Sequence, residues 1–204
     1  MPAFSFDVQE YIDQDFSGET FSGDLRRFAF TDCRFGSCDF TEADFSGCRF
    51  AHCMLQFSSF AGCTMERCAF LNCDMTYTKL LGTTLRGCKM TGTDFSGADT
   101  RGLTVEGGEY RYSVLTNVEL YKQTLEEVCF EGATLFECVF EKCRIHSCCF
   151  DDAVVRGLRF RECDVRDTTF SLVDMLSLQF ERVTGDLALC VDAAASLGIR
   201  YRER

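Results

Sequence analysis

Residues 33–95 read, in blocks of five, CRFGS CDFTE ADFSG CRFAH CMLQF SSFAG CTMER CAFLN CDMTY TKLLG TTLRG CKMTG TDF. The third residue of every block is Phe, Leu or Met. The first is Cys, Ala, Ser or Thr. The same frame runs unbroken from Leu25 to Phe180 and is sharp again as ATL, CVF, CRI and CCF between Ala133 and Phe150. A period of five is neither the 3.6 of a helix nor the 2 of a single strand. A fixed short repeat over most of a chain predicts a solenoid, in which each unit packs only on its neighbours.

A second period lies over the first. Taking the large apolar residue as the centre of each block, Phe occupies positions 30, 40, 50, 60 and 70, and again 130, 140, 150, 160, 170 and 180. The intervening centres hold mostly Leu, Met, Val or Ile. Side chains stacked in register on one wall pack on their own kind, so this alternation requires an even number of walls per turn. Upstream, Phe6, Tyr11, Phe16 and Phe21 keep the spacing of five but sit one residue out of phase. They predict an N-terminal coil joined through an irregular corner, with Phe28 at a normally small position marking local distortion.

Composition narrows the function. The chain has 204 residues, 46% of them apolar, with one proline, no tryptophan and a net charge of −11. One elongated domain is expected. The acidic balance argues against binding nucleic acid or an anionic membrane. The N-terminus lacks an apolar core segment and no run approaches a membrane span, so a cytoplasmic location is expected.

Of the 15 cysteines, those at 33, 38, 48, 53, 63, 68, 73, 88, 138, 143, 148 and 163 fall on the small position of the block. Periodicity accounts for them as buried, reduced thiols. Cys129 and Cys149 fall on outward positions and are expected to react first. No metal site is expected, because a spacing of five supplies no paired ligand knuckles. His52 and His146 are outward and far apart, there is no phosphate-binding loop, and the carboxylates read as a solvated surface. No catalytic residue and no cofactor is implied.

The frame weakens at residues 100–128. Thr100 is a polar centre, and the small positions hold Leu103, Gly108, Val118, Gln123 and Val128. This stretch is expected either to bulge around larger inward residues or to form a contact region. Its candidate partner-binding residues are Glu106, Glu109, Tyr110, Tyr112, Glu119, Tyr121, Glu126 and Glu127. After Phe180 the repeat stops. A helix is expected from Thr184 or Asp186, with Gly198 as its C-terminal cap. Leu187, Cys190, Val191, Ala194 and Leu197 share one apolar face, and Ile199–Tyr201 alternates like a short strand. Residues 1–183 are therefore read as the solenoid, with an irregular coil at 1–24, and 184–204 as a capping and dimerisation segment. Leu187, Cys190, Val191, Ala194, Leu197 and Ile199 form the expected two-fold contact.

The ADF of 43–45, the ATL of 133–135 and the many C-x-F blocks resemble the pentapeptide-repeat family. The resemblance implies an all-β fold, a right-handed, quadrilateral parallel β-helix with four pentapeptides per coil, here closed by a short C-terminal α-helix. Thirty-two blocks would make eight coils and a rod of about 38 Å, at about 4.8 Å per coil. Within that family, the opening QDFSGETFSGDLRRFAFTDCRFGSCDF (14–40) and the ending Leu197-Gly198-Ile199 are similar to the Qnr and MfpA group. That resemblance implies a non-enzymatic mimic of duplex DNA, joined end to end as a homodimer, that binds DNA gyrase or topoisomerase IV and protects it from fluoroquinolones. The unbroken frame is closer to the loop-less members. Two other readings stand beside it: an interaction rod with an unrelated partner, and an immunity factor against a gyrase-targeting toxin. Mimicry by charge is partial, since acidic residues between 23 and 182 outnumber basic ones only 24 to 18, and no single wall is an acidic stripe.

Overall fold

A computed structural model describes residues 9–200. Phe6, Tyr201 and the arginines beyond it lie outside the described residues. The chain winds into a parallel β-solenoid of about nine turns, followed by one helix, α1, Leu187–Ser196. Strands are mostly three residues long and pair with the strand 20 residues on: Phe30 with Phe50, Phe50 with Phe70, Leu120 with Phe140, Phe140 with Phe160, and Phe160 with Phe180. Four blocks per turn follow directly from that register.

Backbone hydrogen bonds run along the rod axis. In the Leu55 block, for instance, Met54 N–H donates to Cys33 O in the coil before at 3.0 Å, and Leu55 N–H donates to Asp74 O in the coil after at 2.7 Å. Each block ends in a corner whose second residue takes a left-handed conformation. Glycine, Asn or Asp suits it, and Gly47, Gly62, Asn72 and Asn117 occupy it here with φ between 51° and 74°.

The centres face inward. Phe50, Phe60, Phe70, Phe150 and Phe160 are fully buried. The phenylalanines stack face to face along two walls: Phe30 on Phe50 at 4.9 Å, Phe50 on Phe70 at 4.7 Å, Phe130 on Phe150 at 4.9 Å, and on the opposite wall Phe40 on Phe60 at 4.8 Å and Phe140 on Phe160 at 5.2 Å. Rings of the two walls meet edge to face, as Phe150 and Phe160 do at 86°. Both geometries are favourable for aromatic quadrupoles.

The small position has a second requirement beyond size. Its side chain donates a hydrogen bond to the carbonyl of a centre in the coil below. Cys63 donates to Phe40 O, Thr83 to Phe60 O at 2.8 Å, Thr93 to Phe70 O at 2.9 Å, Cys163 to Phe140 O and Thr168 to Ile145 O at 2.8 Å. A thiol or hydroxyl at this site fills the corner and satisfies a buried acceptor, which explains why Cys, Ser and Thr interchange there. All twelve in-frame cysteines are buried, and each donates to a backbone carbonyl. Burial pushes the thiols of Cys38, Cys138 and Cys148 up to about 11 and that of Cys63 up to about 12.

The N-terminal slip is a β-bulge. Tyr11 pairs with Phe30 and Thr20 with Asp39, 19 residues apart, whereas Ser22 pairs with Glu42, 20 apart. The extra residue lies opposite Phe21, where the strand Asp39–Ser46 runs straight through a corner. Tyr11, Phe16 and Phe21 nevertheless stack on Phe30, Phe35 and Phe40. The inward set is preserved because the bulge absorbs the one-residue shift before it reaches the next wall. Phe28 is half-buried and lies nearly parallel to Phe30.

Replacing Phe50 or Phe150 by Ala is expected to cost about 3–5 kcal/mol, the loss of a buried ring and the cavity it leaves, measured by denaturant unfolding. Retention of full stability would contradict the stacked-core assignment.

Candidate interaction surface

The core changes character at mid-rod. Between Phe70 and Phe130 one Phe wall continues as Met90 and Tyr110. Between Phe60 and Phe140 the other continues as Leu80, Thr100 and Leu120. Opposite these smaller centres, Leu103, Val118 and Val128 turn inward and are buried. Larger residues at the small positions push successive coils apart, and a void of about 20 Å³ remains among Leu85, Leu103, Tyr110, Leu120 and Phe130.

The consequence is a break in the ladder. One wall's sheet ends at Thr104–Glu106, and the strand above it, Thr124–Glu126, pairs only onward, with Arg144–His146. On the adjacent wall, Lys79 bridges to Asp99, while Glu119–Tyr121 pairs only onward, with Val139–Glu141. Among the described residues, no ladder joins the two halves on these two walls. Gln123 spans the opening instead. Its amide oxygen accepts from Val105 N–H at 3.0 Å, and its amide nitrogen donates to Leu103 O at 2.6 Å. A polar residue at an inward position therefore stands in for the missing backbone pair. The result is an open cleft of about 730 Å³ lined by Gly102, Val105, Glu106, Glu119, Tyr121 and Gln123, among others.

The other two walls stay closed at this level, through Lys89–Glu109–Cys129 bridging and Asp94–Val114 pairing. Here Gly108 is indispensable. Its φ is +112°, and a Cβ would lie 2.4 Å from Cys88 O.

The eight candidate contact residues separate into groups. Glu119, Tyr121 and Glu126 rim the two open walls, and Glu127 lies at the following corner. Tyr112 stands on a corner of the third wall, and Tyr112 and Tyr121 are 61% and 52% exposed. Lys122 Nζ lies 4.9 Å from the Tyr121 ring centroid. Glu106 and Glu109 are exposed or half-exposed but already paired, with Arg86 at 2.6 Å and Lys89 at 3.2 Å in the coil below. The Arg86 partner holds the Glu106 carboxyl below its usual range.

Tyr110 is a correction. It was expected as an exposed contact aromatic, yet it is 2% exposed. Position 110 is a centre of the frame, so its ring turns inward and stacks on Phe130 at 5.4 Å. Burial raises its phenol far above the ordinary value, and its hydroxyl has no partner.

The sequence reading missed other exposed aromatics. Phe57 and Tyr77 stack at 5.3 Å on neighbouring coils, 60% and 59% exposed, both at left-handed corners with φ of 61° and 56°. Bulky residues are rare at such dihedrals. The signal was present: an aromatic stands where the frame favours Gly, Asn or Asp.

Several charges elsewhere on the walls pair between coils. Arg111 pairs with Glu131, Arg161 with Glu181 and Arg182 with Glu162. Among the described residues, Glu119, Glu126 and Glu127 make no ion pair.

At the C-terminal end, Asp186 caps α1, its carboxylate accepting from Leu189 N–H at 3.0 Å, and Gly198 follows with φ of 79°. Leu189 packs against the last coil together with Met175 and Val183. Leu187, Leu197 and Ile199 are 65%, 69% and 58% exposed, Cys190 is exposed, and Val191 and Ala194 are half-buried. Leu187, Cys190, Leu197 and Ile199 of the face read as an interface therefore point to solvent, while Val191 and Ala194 are partly covered. Leu172 and Leu176, exposed on the last turn of the solenoid, were not anticipated beside it. Residues 199–200 form no strand. Cys190 also corrects the reactivity order: it is exposed, whereas Cys129 and Cys149 are only partly so.

A pentapeptide-repeat region model matches residues 43–115. The fold is that of pentapeptide-repeat proteins. Its coils superpose on the structure of a trypsin-treated arginine-to-glutamate variant of QnrB1, a plasmid-mediated fluoroquinolone resistance protein, with a TM-score of 0.76 at 20% identity. The match covers 96% of this chain and 98% of that one. A second trypsin-treated QnrB1 variant gives 0.60 at 19% identity, over 96% and 98% of the two chains. HetL, a pentapeptide-repeat protein involved in heterocyst differentiation regulation from the cyanobacterium Nostoc, gives 0.59 at 12% identity over 86% and 84%. At these identities the likeness is one of fold. No curated protein matches in sequence. No helix among the described residues is long and apolar enough to cross a membrane.

Gln123→Ala is expected to destabilise the rod by about 1–3 kcal/mol, because Val105 N–H and Leu103 O lose their partner at the edge of the core. Denaturant unfolding measures it. In native thiol labelling followed by mass mapping, Cys190 should react first and Cys129 and Cys149 more slowly. Cys48 and Cys68 should react only on unfolding, and early labelling of either would contradict their burial.

Proposed function

We propose that this protein is a non-catalytic, cytoplasmic DNA-mimic rod that binds a type II topoisomerase, DNA gyrase or topoisomerase IV, and modulates it. The observation that carries this reading is the end-to-end likeness to QnrB1, a fluoroquinolone resistance protein, over nearly the whole of both chains. A rod of stacked coils offers a topoisomerase the length and width of a duplex segment without its bases. The sequence resemblance of residues 14–40 and 197–199 to the Qnr and MfpA group supports the same partner.

Charge supports a restricted form of mimicry. Duplex DNA carries about one negative charge per 1.7 Å, and the walls here do not approach that, since acids outnumber bases only 24 to 18 between residues 23 and 182. The unpaired Glu119, Glu126 and Glu127, beside the exposed Tyr121, are the residues through which contact is proposed. Aromatic anchors rimmed by charge are typical of contact surfaces.

The rod works as a two-fold dimer in this reading. The exposed Leu172, Leu176, Leu187, Leu197 and Ile199 form one apolar end that the protein's own helix leaves uncovered. A closed pair would bury it in a single isologous interface and give a rod of about 80–90 Å, at about 4.8 Å per coil.

Gyrase and topoisomerase IV supercoiling and relaxation assays, with and without ciprofloxacin and titrated with this protein, test the reading. A change in activity or a relief of drug inhibition at micromolar protein is expected, and Glu126→Lys combined with Glu127→Lys should weaken it about tenfold or more. Indifference of both enzymes would leave an interaction rod with another partner. Sedimentation tests the dimer: Leu187→Asp or Leu197→Asp should yield monomers, and a monomer of 23.1 kDa for the unaltered protein at micromolar concentration would defeat it.

A further inference from the structure

Cys129 and Cys149 differ from the in-frame thiols. The twelve inward thiols each donate to a carbonyl, whereas neither of these two does. They stand on the outer face of one Phe wall, flanking the stacked Phe130 and Phe150, and are paired directly across adjacent coils. The carboxylate of Glu131, two residues beyond Cys129, completes a group. One oxygen of Glu131 and the two sulfurs all lie within 4.8 Å of one another, and all three residues are partly exposed.

We propose that Cys129, Cys149 and Glu131 form a binding site for a thiophilic divalent cation of the Zn²⁺ or Cd²⁺ kind. Two thiolates and one carboxylate are a soft, anionic donor set that favours such ions over Mg²⁺ or Ca²⁺. Tetrahedral coordination at about 2.3 Å to sulfur and about 2.0 Å to oxygen places donors roughly 3.5–3.8 Å apart. Side-chain rotation of about an ångström closes the group to that size, and the solvent side leaves the fourth position for water.

The surroundings fit. Binding releases both thiol protons to solvent, and the three anionic donors then exceed the ion's charge by one. Arg111 in the coil below balances that excess. Its guanidinium is bonded to Glu131 Oε2. Thr169, one coil above, is bridged to Cys149 along the same wall. Such outer partners orient ligands and tune affinity. Because Cys129 and Glu131 belong to one coil and Cys149 to the next, the ion would clamp two turns of the rod just above the mid-rod opening. The sequence reading set metal aside because blocks of five give no ligand pairs along the chain. Winding brings residues 20 apart side by side.

The test uses the reduced, metal-free full chain with Cys190→Ser, titrated with Cd²⁺ or Zn²⁺ alone. One equivalent of Cd²⁺ should produce the thiolate charge-transfer absorption at micromolar affinity, and Zn²⁺ should slow alkylation of both Cys129 and Cys149 by about tenfold or more. Cys129→Ser with Cys149→Ser should abolish the absorption. Glu131→Gln and Arg111→Gln should each weaken binding by about tenfold or more, and thermal unfolding should confirm that each variant is folded. Absence of the absorption, millimolar affinity only, its survival in the double serine variant, or a Cys129–Cys149 disulfide that forms without any cation affinity would each overturn the assignment.

Discussion

The whole rod depends on the axial ladder, in which each coil's backbone pairs with the coil 20 residues away. Strands of three residues cannot hold themselves together. They persist because every turn is fixed on both sides, and because the side chain at the small position donates into the same stack of carbonyls. That donor links the ladder to the core: the group that fills the corner also satisfies the centre below it. Phe stacks then add contacts in the same axial direction, so backbone and core reinforce one register.

Where this agreement fails, the surface becomes distinctive. At residues 100–128 the inward positions carry Leu103, Val118, Gln123 and Val128, too large for the corner, and two of the four walls part. Gln123 repairs the hydrogen bonding with its side chain, and Gly108 lets the neighbouring wall stay closed. The mid-rod cleft, with unpaired acids and an exposed tyrosine on its rim, is thus a product of the same rules that make the regular coils. The structure departs from them only as far as Gln123 can bridge.

The rod ends differ in kind. At the N-terminal end a bulge opposite Phe21 absorbs a one-residue slip, so that the aromatic stacks run on through Phe16 and Tyr11. At the other end α1 is held by Leu189 and turns Leu187, Leu197 and Ile199 outward. The periodic face of α1 was visible in the sequence. Which side of the helix met the coil was not, because periodicity gives a stripe and no direction.

The sequence by itself determined the solenoid, the even number of walls, the Phe stacks, the buried thiols and the slip after Phe21, since each is a matter of spacing along the chain and the repeat converts spacing into facing. It also marked residues 100–128 as irregular. Only the tertiary structure decided what surrounds it: that Glu106 and Glu109 are neutralised one coil away while Glu119 and Glu126 are not, and that Cys129 meets Cys149 and Glu131. The reason is common to all of these. They are contacts between residues about 20 apart on the outer face, where side chains of any type are tolerated and no periodic constraint records their neighbours.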